Sequence, residues 1–206
     1  MRLTVTWETE WGAAFQAPEP AFLQRGFAAL ADGGRVWLVD PVDGSELRAG
    51  VERLGRPAAV LQLLDRHPRD CALLARELGV PLLDLSSGRR PGGPFQVVPL
   101  VRRRRWREAA LWWPERRTLV VADAVGTAPY FQGPGERLAV HPLLRLSPPR
   151  ALAAFDPELV LVGHGRPLAG PATTEELRAA IDRARRGIPR WLGRVTREQP
   201  WRRSAA

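Results

Sequence analysis

The sequence predicts a single α/β domain rich in strands. Short apolar runs recur along most of the chain, Gly and Pro turn signals punctuate them, and two stretches show helical spacing instead. Residues 3–7 (LTVTW) alternate with period two and read as a strand. Residues 27–30 and 35–39 flank Asp32-Gly33-Gly34, which predicts a hairpin. Residues 58–64 (AAVLQLL) form a buried-strand candidate. The helical face of Cys71, Leu74, Ala75 and Leu78 follows it, and Gly79 closes that helix. Further strands are expected at 81–85, 95–101, 108–113 and 118–123, with Pro114-Glu115-Arg116 turning between the last two. ELVLVG (158–163) reads as one more buried strand. Residues 174–186 predict a helix with Leu177, Ala180, Ile181 and Ala184 on one face, a Thr173/Glu176 capping box and a stop at Gly187. The domain is expected over 1–187, followed by an Arg- and Trp-bearing segment, 188–206, that contains Trp191, Leu192, Val195 and Trp201.

Composition narrows the classes. A chain of 206 residues, 45% hydrophobic and 26% charged, has the makeup of a folded globular protein rather than a disordered or disulfide-stapled one. The one cysteine, Cys71, cannot form an internal disulfide or a Cys-rich zinc site and reads as a small core residue. No apolar run reaches the roughly 20 residues of a membrane-spanning helix. Glu8 and Glu10 stand where a secretory signal would be apolar, so a cytoplasmic protein with no membrane partner is expected. The formal charge is +9 and every basic residue is Arg. The excess is concentrated in 101–117, with seven Arg against two Glu, and in 178–206, with nine Arg against two acids. Such clustering, with Arg in place of Lys, fits a GC-rich genome as well as a basic surface, so charge alone names no partner.

Four segments in order carry a resemblance: RVWLVDPVDG (35–44), LQLLDRHPRD (61–70), RRTLVVADAVGT (116–127) and LVLVGHGRPL (159–168). Together they resemble the metallo-β-lactamase-fold superfamily. That resemblance covers about residues 3–170 and implies an αββα sandwich of two mixed β-sheets flanked by helices. Site loops would then lie at one end of the strands. It also implies hydrolysis by one or two bound metals, with imidazoles and carboxylates holding ions that activate water.

Set against the family's HxHxDH motif, residues 65–70 depart from it. Asp65 replaces the first His, His67 matches the second, Arg69 replaces the Asp and Asp70 the last His. The third family histidine should fall near residues 100–106, where Val101, Arg102 to Arg105 and Trp106 offer no ligand. Asp123 matches the bridging Asp, although Ala122 precedes it in place of Gly, and His164 within Gly163-His164-Gly165 matches the final His. The metal candidates are therefore His67, Asp123 and His164, a vestigial or single-metal set, with Asp65, Arg69, Asp70 and Asp40 expected in the cleft. An Arg cannot ligate a metal but can neutralise a carboxylate. Accordingly Arg69, or an Arg of 102–105, is expected to pair with Asp123 or Asp65.

Each residue also has a reading without chemistry. His67 can bond backbone at a strand end, Asp70 can favour the positive end of a helix, Asp123 can cap a turn and His164 can pack a loop. His141 has no family counterpart and reads as a surface residue. Asp40 and Asp43 suit an Asp-Pro turn on backbone grounds and would orient neighbours rather than react. Three functions compete. The leading one is a metallo-β-lactamase-fold protein that has lost its binuclear centre and hydrolase activity and acts as a binding or regulatory module, with an unknown small molecule as partner in the former cleft. The second is a hydrolase with one retained metal. The third is an Arg-rich binder of nucleic acid or an acidic partner. The cofactor expectation is none or, at most, one Zn, Mn or Fe ion.

Overall fold

A computed structural model describes residues 2–18 and 21–199. The first sheet contains β1 (Thr4–Thr9), β2 (Gly12–Gln16), β3 (Gly26–Asp32), β4 (Arg35–Val39), β5 (Arg56–Gln62) and β6 (Leu82–Asp84), in that spatial order. The first four strands pair antiparallel, whereas β4–β5 and β5–β6 are parallel. Parallel neighbours need crossovers. α1 (Ser45–Leu54) supplies the first and α2 (Cys71–Glu77) the second. The second sheet begins with β7 (Gln96–Arg103), β8 (Trp106–Trp113) and β9 (Thr118–Val121). A short pair, β10 (Val125–Gly126) and β11 (Ala139–Val140), intervenes before β12 (Leu159–Val162) and β13 (Leu168–Ala169), and the sheet runs β13-β12-β9-β8-β7. α3 (Thr173–Arg183) and α4 (Ile188–Glu198) follow.

The layers follow from which faces are apolar. One buried cluster, including Trp37, Leu61, Leu63, Leu111, Trp113 and Leu119, joins the facing sides of the two sheets. A second, including Phe15, Leu38, Leu47, Val51 and Leu74, seals α1 and α2 against the outer side of the first sheet. Leu177, Ala180, Ile181 and Ala184 bury α3 with Val140, Leu144 and Leu152 beside the second sheet. The result is an αββα sandwich. Each buried leucine removed from water contributes about 1.5–3 kcal/mol, so these two layers of packing dominate stability.

Most expected elements form, and the departures have local causes. The polar stretch Ser45–Leu54 folds as α1 because Leu47, Val51 and Leu54 recur on one helical face. Thr173 does not cap α3: it is the first helical residue, its hydroxyl has no partner, and Glu176 instead faces Arg137 and Arg183. Residues 114–116 turn as a short 3-10 segment, after which Arg117 adopts a left-handed conformation (φ 43°). The segment expected after 187 is helical as α4, which lies on the loop at 130–132 through Trp191 Nε1 to Tyr130 O (2.8 Å) and Arg194 to Gln132 O (3.3 Å). Trp201 lies outside the described residues.

The two sheets meet at one end through the start of β3. Gly26 N donates to Gly163 O at 2.8 Å, and Gly165 N donates to Gln24 O at 2.8 Å. A Cβ on Gly26 would strike the Val162 carbonyl, a backbone atom that cannot swing away. Gly26→Ala should therefore part β3 from β12 and lower stability by about 2 kcal/mol or more, measurable as a reduced urea midpoint with unchanged m value.

Candidate metal centre

The open end of the sandwich carries the candidate site. His67 lies in the turn between β5 and α2, Asp123 follows β9, and His164 sits in the loop after β12. All three are buried, and one ligand atom from each lies within 4.8 Å of the others. Asp123 Oδ1 stands 3.1 Å from His67 Nε2 and 3.0 Å from His164 Nε2, yet it has no hydrogen-bond partner. Neither ring directs an N–H at it.

The far sides of both rings explain this geometry. His164 Nδ1 lies 2.8 Å from the Leu23 carbonyl, which can only accept, so Nδ1 carries the proton. His67 Nδ1 faces Asp40 Oδ2 at 3.3 Å and carries its proton for the same reason. In the neutral rings both Nε2 atoms are then bare acceptors set against a carboxylate oxygen. That convergence of acceptors is relieved by a cation among them, either a metal ion or a proton on one of the two Nε2 atoms. Anchoring Nδ1 on a carboxylate or carbonyl is also how metal-binding imidazoles are oriented.

Asp40 is central to this scaffold. It adopts a left-handed backbone (φ 45°), its Oδ1 accepts from Leu63 N at 2.9 Å, and its Oδ2 steadies His67. Asp123 is held from behind by Glu108 of β8, fully buried, whose Oε1 accepts from Asp123 N and Ala124 N at 2.8 Å each. Its Oε2 accepts from Trp106 Nε1 at 2.9 Å. Burial, reinforced by the Asp123 charge, pushes the Glu108 carboxyl up to about 7. Burial also acts on Asp123, but in the metal-free site the His164 and His67 imidazoles, when protonated, hold that carboxyl well below the ordinary range. For His67, burial and Arg69 disfavour the proton, and the Asp123 and Asp40 carboxylates outweigh them and raise its pKa.

Arg69 is in the site but does not pair with Asp123 or Asp65. Its backbone is left-handed (φ 36°), and its guanidinium donates to three carbonyls: Gly26 O (2.6 Å), Asp40 O (2.8 Å) and Gly163 O (3.1 Å). The guanidinium that reaches Asp123 belongs to Arg66, 3.3 Å from Oδ2, and it also stacks 4.0 Å over the Trp106 ring. Asp65 faces Arg107 instead, at 3.5 Å, because its own N–H bonds Arg107 O and turns the side chain along β8. Asp70 accepts from Asp43 N at 2.8 Å and so braces the 40–44 turn rather than the cleft. Arg102 to Arg105 sit at the exposed β7–β8 tip.

Two residues, one behind Asp123 and one in the cleft, were not legible as such. Glu108 read as an ordinary strand position, and only the wrapping of residues 122–124 around β8 buries it. His141, expected at the surface, is buried against Trp106 and Phe131 (ring centroids 4.8 and 5.1 Å), and its Nδ1 accepts from Leu143 N at 3.2 Å. A His-Pro step that opens a 3-10 turn was the available signal. Burial, aided by Arg66 and the other imidazoles, pushes the His141 pKa down to about 4. The cleft, of about 640 Å³, is lined by His67, Asp123, His164, His141, Arg25, Arg66 and Arg69 on its polar side. Phe22, Leu23, Tyr130, Phe131 and Leu143 line the other.

Comparison with solved structures agrees with the fold. DIM-1 metallo-β-lactamase superposes with a TM-score of 0.56 at 11% identity, over 89% of this chain and 99% of that chain. TMB-1 does so with a TM-score of 0.55 at 10% identity, over 88% and 98%. The chain has the metallo-β-lactamase fold. No protein-family model matches the sequence, and no curated protein matches it either. Within the metallo-β-lactamase fold, the structure brings His67, Asp123 and His164 together as the resemblance implied. Among the described residues they form the one group of three or more His, Cys, Asp or Glu able to hold a metal ion.

Two outcomes follow. Arg69→Met should take the guanidinium from three buried carbonyls, of which Gly163 O keeps Gly26 N as a donor, and lower stability by about 2 kcal/mol or more, read as a fall in urea midpoint. His141 stays neutral when folded, so the unfolded chain binds the extra proton between pH 6.5 and 4 and stability drops as pH falls through that window. The loss attributable to His141 is at most about 3 kcal/mol. His141→Asn keeps an acceptor for Leu143 N, so the stability gap between wild type and variant should narrow or invert as pH is lowered from 7 to 4 in parallel denaturation series.

Proposed function

We propose that the chain is a single-metal hydrolase of the metallo-β-lactamase fold, its ion held by His67 Nε2, Asp123 Oδ1 and His164 Nε2. One observation carries this reading: both imidazoles anchor Nδ1 elsewhere and turn Nε2 toward one buried carboxylate oxygen, so that in the neutral rings three lone pairs converge on one point. Two nitrogens and one oxygen suit Zn, Mn or Fe. Such an ion supplies Lewis acidity, polarising a carbonyl or phosphoryl oxygen and lowering the pKa of water.

The chain's own groups do the rest. Leu23 O and Asp40 fix the two rings, and Glu108 fixes the backbone of Asp123. Phe131 stacks on His164 at 5.6 Å and, with Phe22 and Tyr130, gives the cleft an apolar wall that excludes water from a bound substrate. Arg66 sets a fixed positive charge beside the centre, suited to a developing oxyanion. A second ion is disfavoured, because Arg69 stands where the family motif has a carboxylate and a permanent cation repels a metal. The reading therefore keeps the loss of a binuclear centre without requiring loss of activity.

A metal-free binding module is the second reading, favoured by the Arg66–Asp123 contact of 3.3 Å, which neutralises the same carboxylate. Metal analysis of untagged protein separates the two. The hydrolase reading expects about one equivalent of Zn, Mn or Fe, its loss in His67→Ala and His164→Ala, and chelator-sensitive turnover on a panel of ester, thioester, lactam and phosphodiester substrates. No bound metal after reconstitution, with a melting temperature unmoved by chelator, would leave the binding module as the reading.

A further inference from the structure

We propose that the tip of the β7–β8 hairpin, Arg102 to Arg105, together with Arg66, forms a binding strip for the phosphate backbone of single-stranded nucleic acid at the mouth of the cleft. This inference concerns binding and stands apart from whether the centre holds a metal.

Four consecutive arginines at the tip are exposed, and among the described residues none of their side chains has an ion-pair partner. The nearby acids are taken: Asp65 faces Arg107 and Glu108 is buried against backbone N–H groups. Arg102 stands directly opposite Arg107 across the ladder. Like charges in that position destabilise a sheet; Asp65 offsets Arg107, and no acid among the described residues offsets Arg102. Protection of an edge strand does not account for the arrangement. β7 is the outer strand of its sheet, yet its length from Gln96 to Val101 carries no charge and has Pro99 to block pairing. The charge is confined to the end next to the cleft.

Continuity with the cleft is direct. Arg103 pairs with Trp106 in the ladder, Trp106 lies 4.0 Å beneath Arg66, and Arg66 lines the cleft beside Asp123. A chain of phosphates lying along the tip would be led over Arg66 to the half-buried rings of Phe22 and Tyr130 at the cleft. Guanidinium forks grip phosphates bidentately, and aromatic faces stack unpaired bases. An acidic peptide or an anionic bilayer would use the charge but not the aromatic wall, which is why a single-stranded nucleic acid is the partner that fits.

The test is fluorescence anisotropy of a labelled 20-nucleotide single strand, as DNA and as RNA, with the protein in EDTA and salt varied from 50 to 200 mM. Wild type should bind saturably. A variant with Arg102, Arg103, Arg104 and Arg105 all changed to Ser should bind at least tenfold more weakly at 50 mM salt. Its log–log salt slope should be shallower by about 3, as four lost phosphate contacts require. A control variant with Arg56, Arg76, Arg186 and Arg190 changed to Ser should stay within about threefold of wild type. The proposal is overturned by absence of binding by wild type at 50 mM salt, or by equal weakening in both variants. Tighter binding of polyglutamate or of phosphatidylserine vesicles than of the oligonucleotide would also overturn it. Circular dichroism of both variants confirms that they are folded, and chelation throughout keeps a failed metal reading from being mistaken for a failed strip.

Discussion

One buried guanidinium ties together the ends of the sandwich on which the site is built. Arg69 joins carbonyls at the start of β3, after β4 and after β12, and so spans both sheets. Those carbonyls belong to Gly26, Asp40 and Gly163, which adjoin the segments that position His67 and His164. Burial opposes the charge on Arg69, and the Asp40 and Asp123 carboxylates favour it. A buried cation is costly unless hydrogen bonds and counter-charge offset it; here Nη1 and Nη2 are bonded to carbonyls while Nε has no partner, so the nearby carboxylates matter all the more. Asp40 and Asp123 are therefore not only site residues; they are part of what lets Arg69 stay charged in the interior.

From this constraint the asymmetry of the site follows. On the Arg69 side the positions that the family motif gives to ligands hold a fixed cation, and Asp65 and Asp70 have turned to other tasks. On the opposite side Nδ1 anchoring and the Glu108 cradle preserve an ordered trio of donors. Two residues in left-handed backbone, Asp40 and Arg69, flank the turn that makes this division. Strained positions of this kind persist where surrounding contacts over-determine them, and here both are locked by hydrogen bonds to other strands.

How much of this the amino acids disclosed depends on the range of the interaction. Strand and helix positions rest on local periodicity, and β3, β4, β8, β9 and β12 lie where apolar runs place them. His67, Asp123 and His164 were legible because each sits in a recognisable strand-end segment. Which Arg meets which carboxylate was not: Arg66 and Arg69 are neighbours but one, and the left-handed turn at Arg69 sends one side chain inward and leaves the other over Trp106. Glu108 was hidden because acid within a strand ordinarily faces water, and its partners come from residues 122–124. His141 reads as a surface residue because no family position matches it, whereas Trp106 and Phe131 close over the ring.

The cleft's aromatic wall has an unexpected dependency. Tyr130 and Phe131 belong to an irregular loop with little ladder of its own, and α4 clamps that loop through Trp191 and Arg194. The last helix is thus a buttress for the cleft, so cutting back α4 would alter the shape of a chamber that no residue of that helix lines.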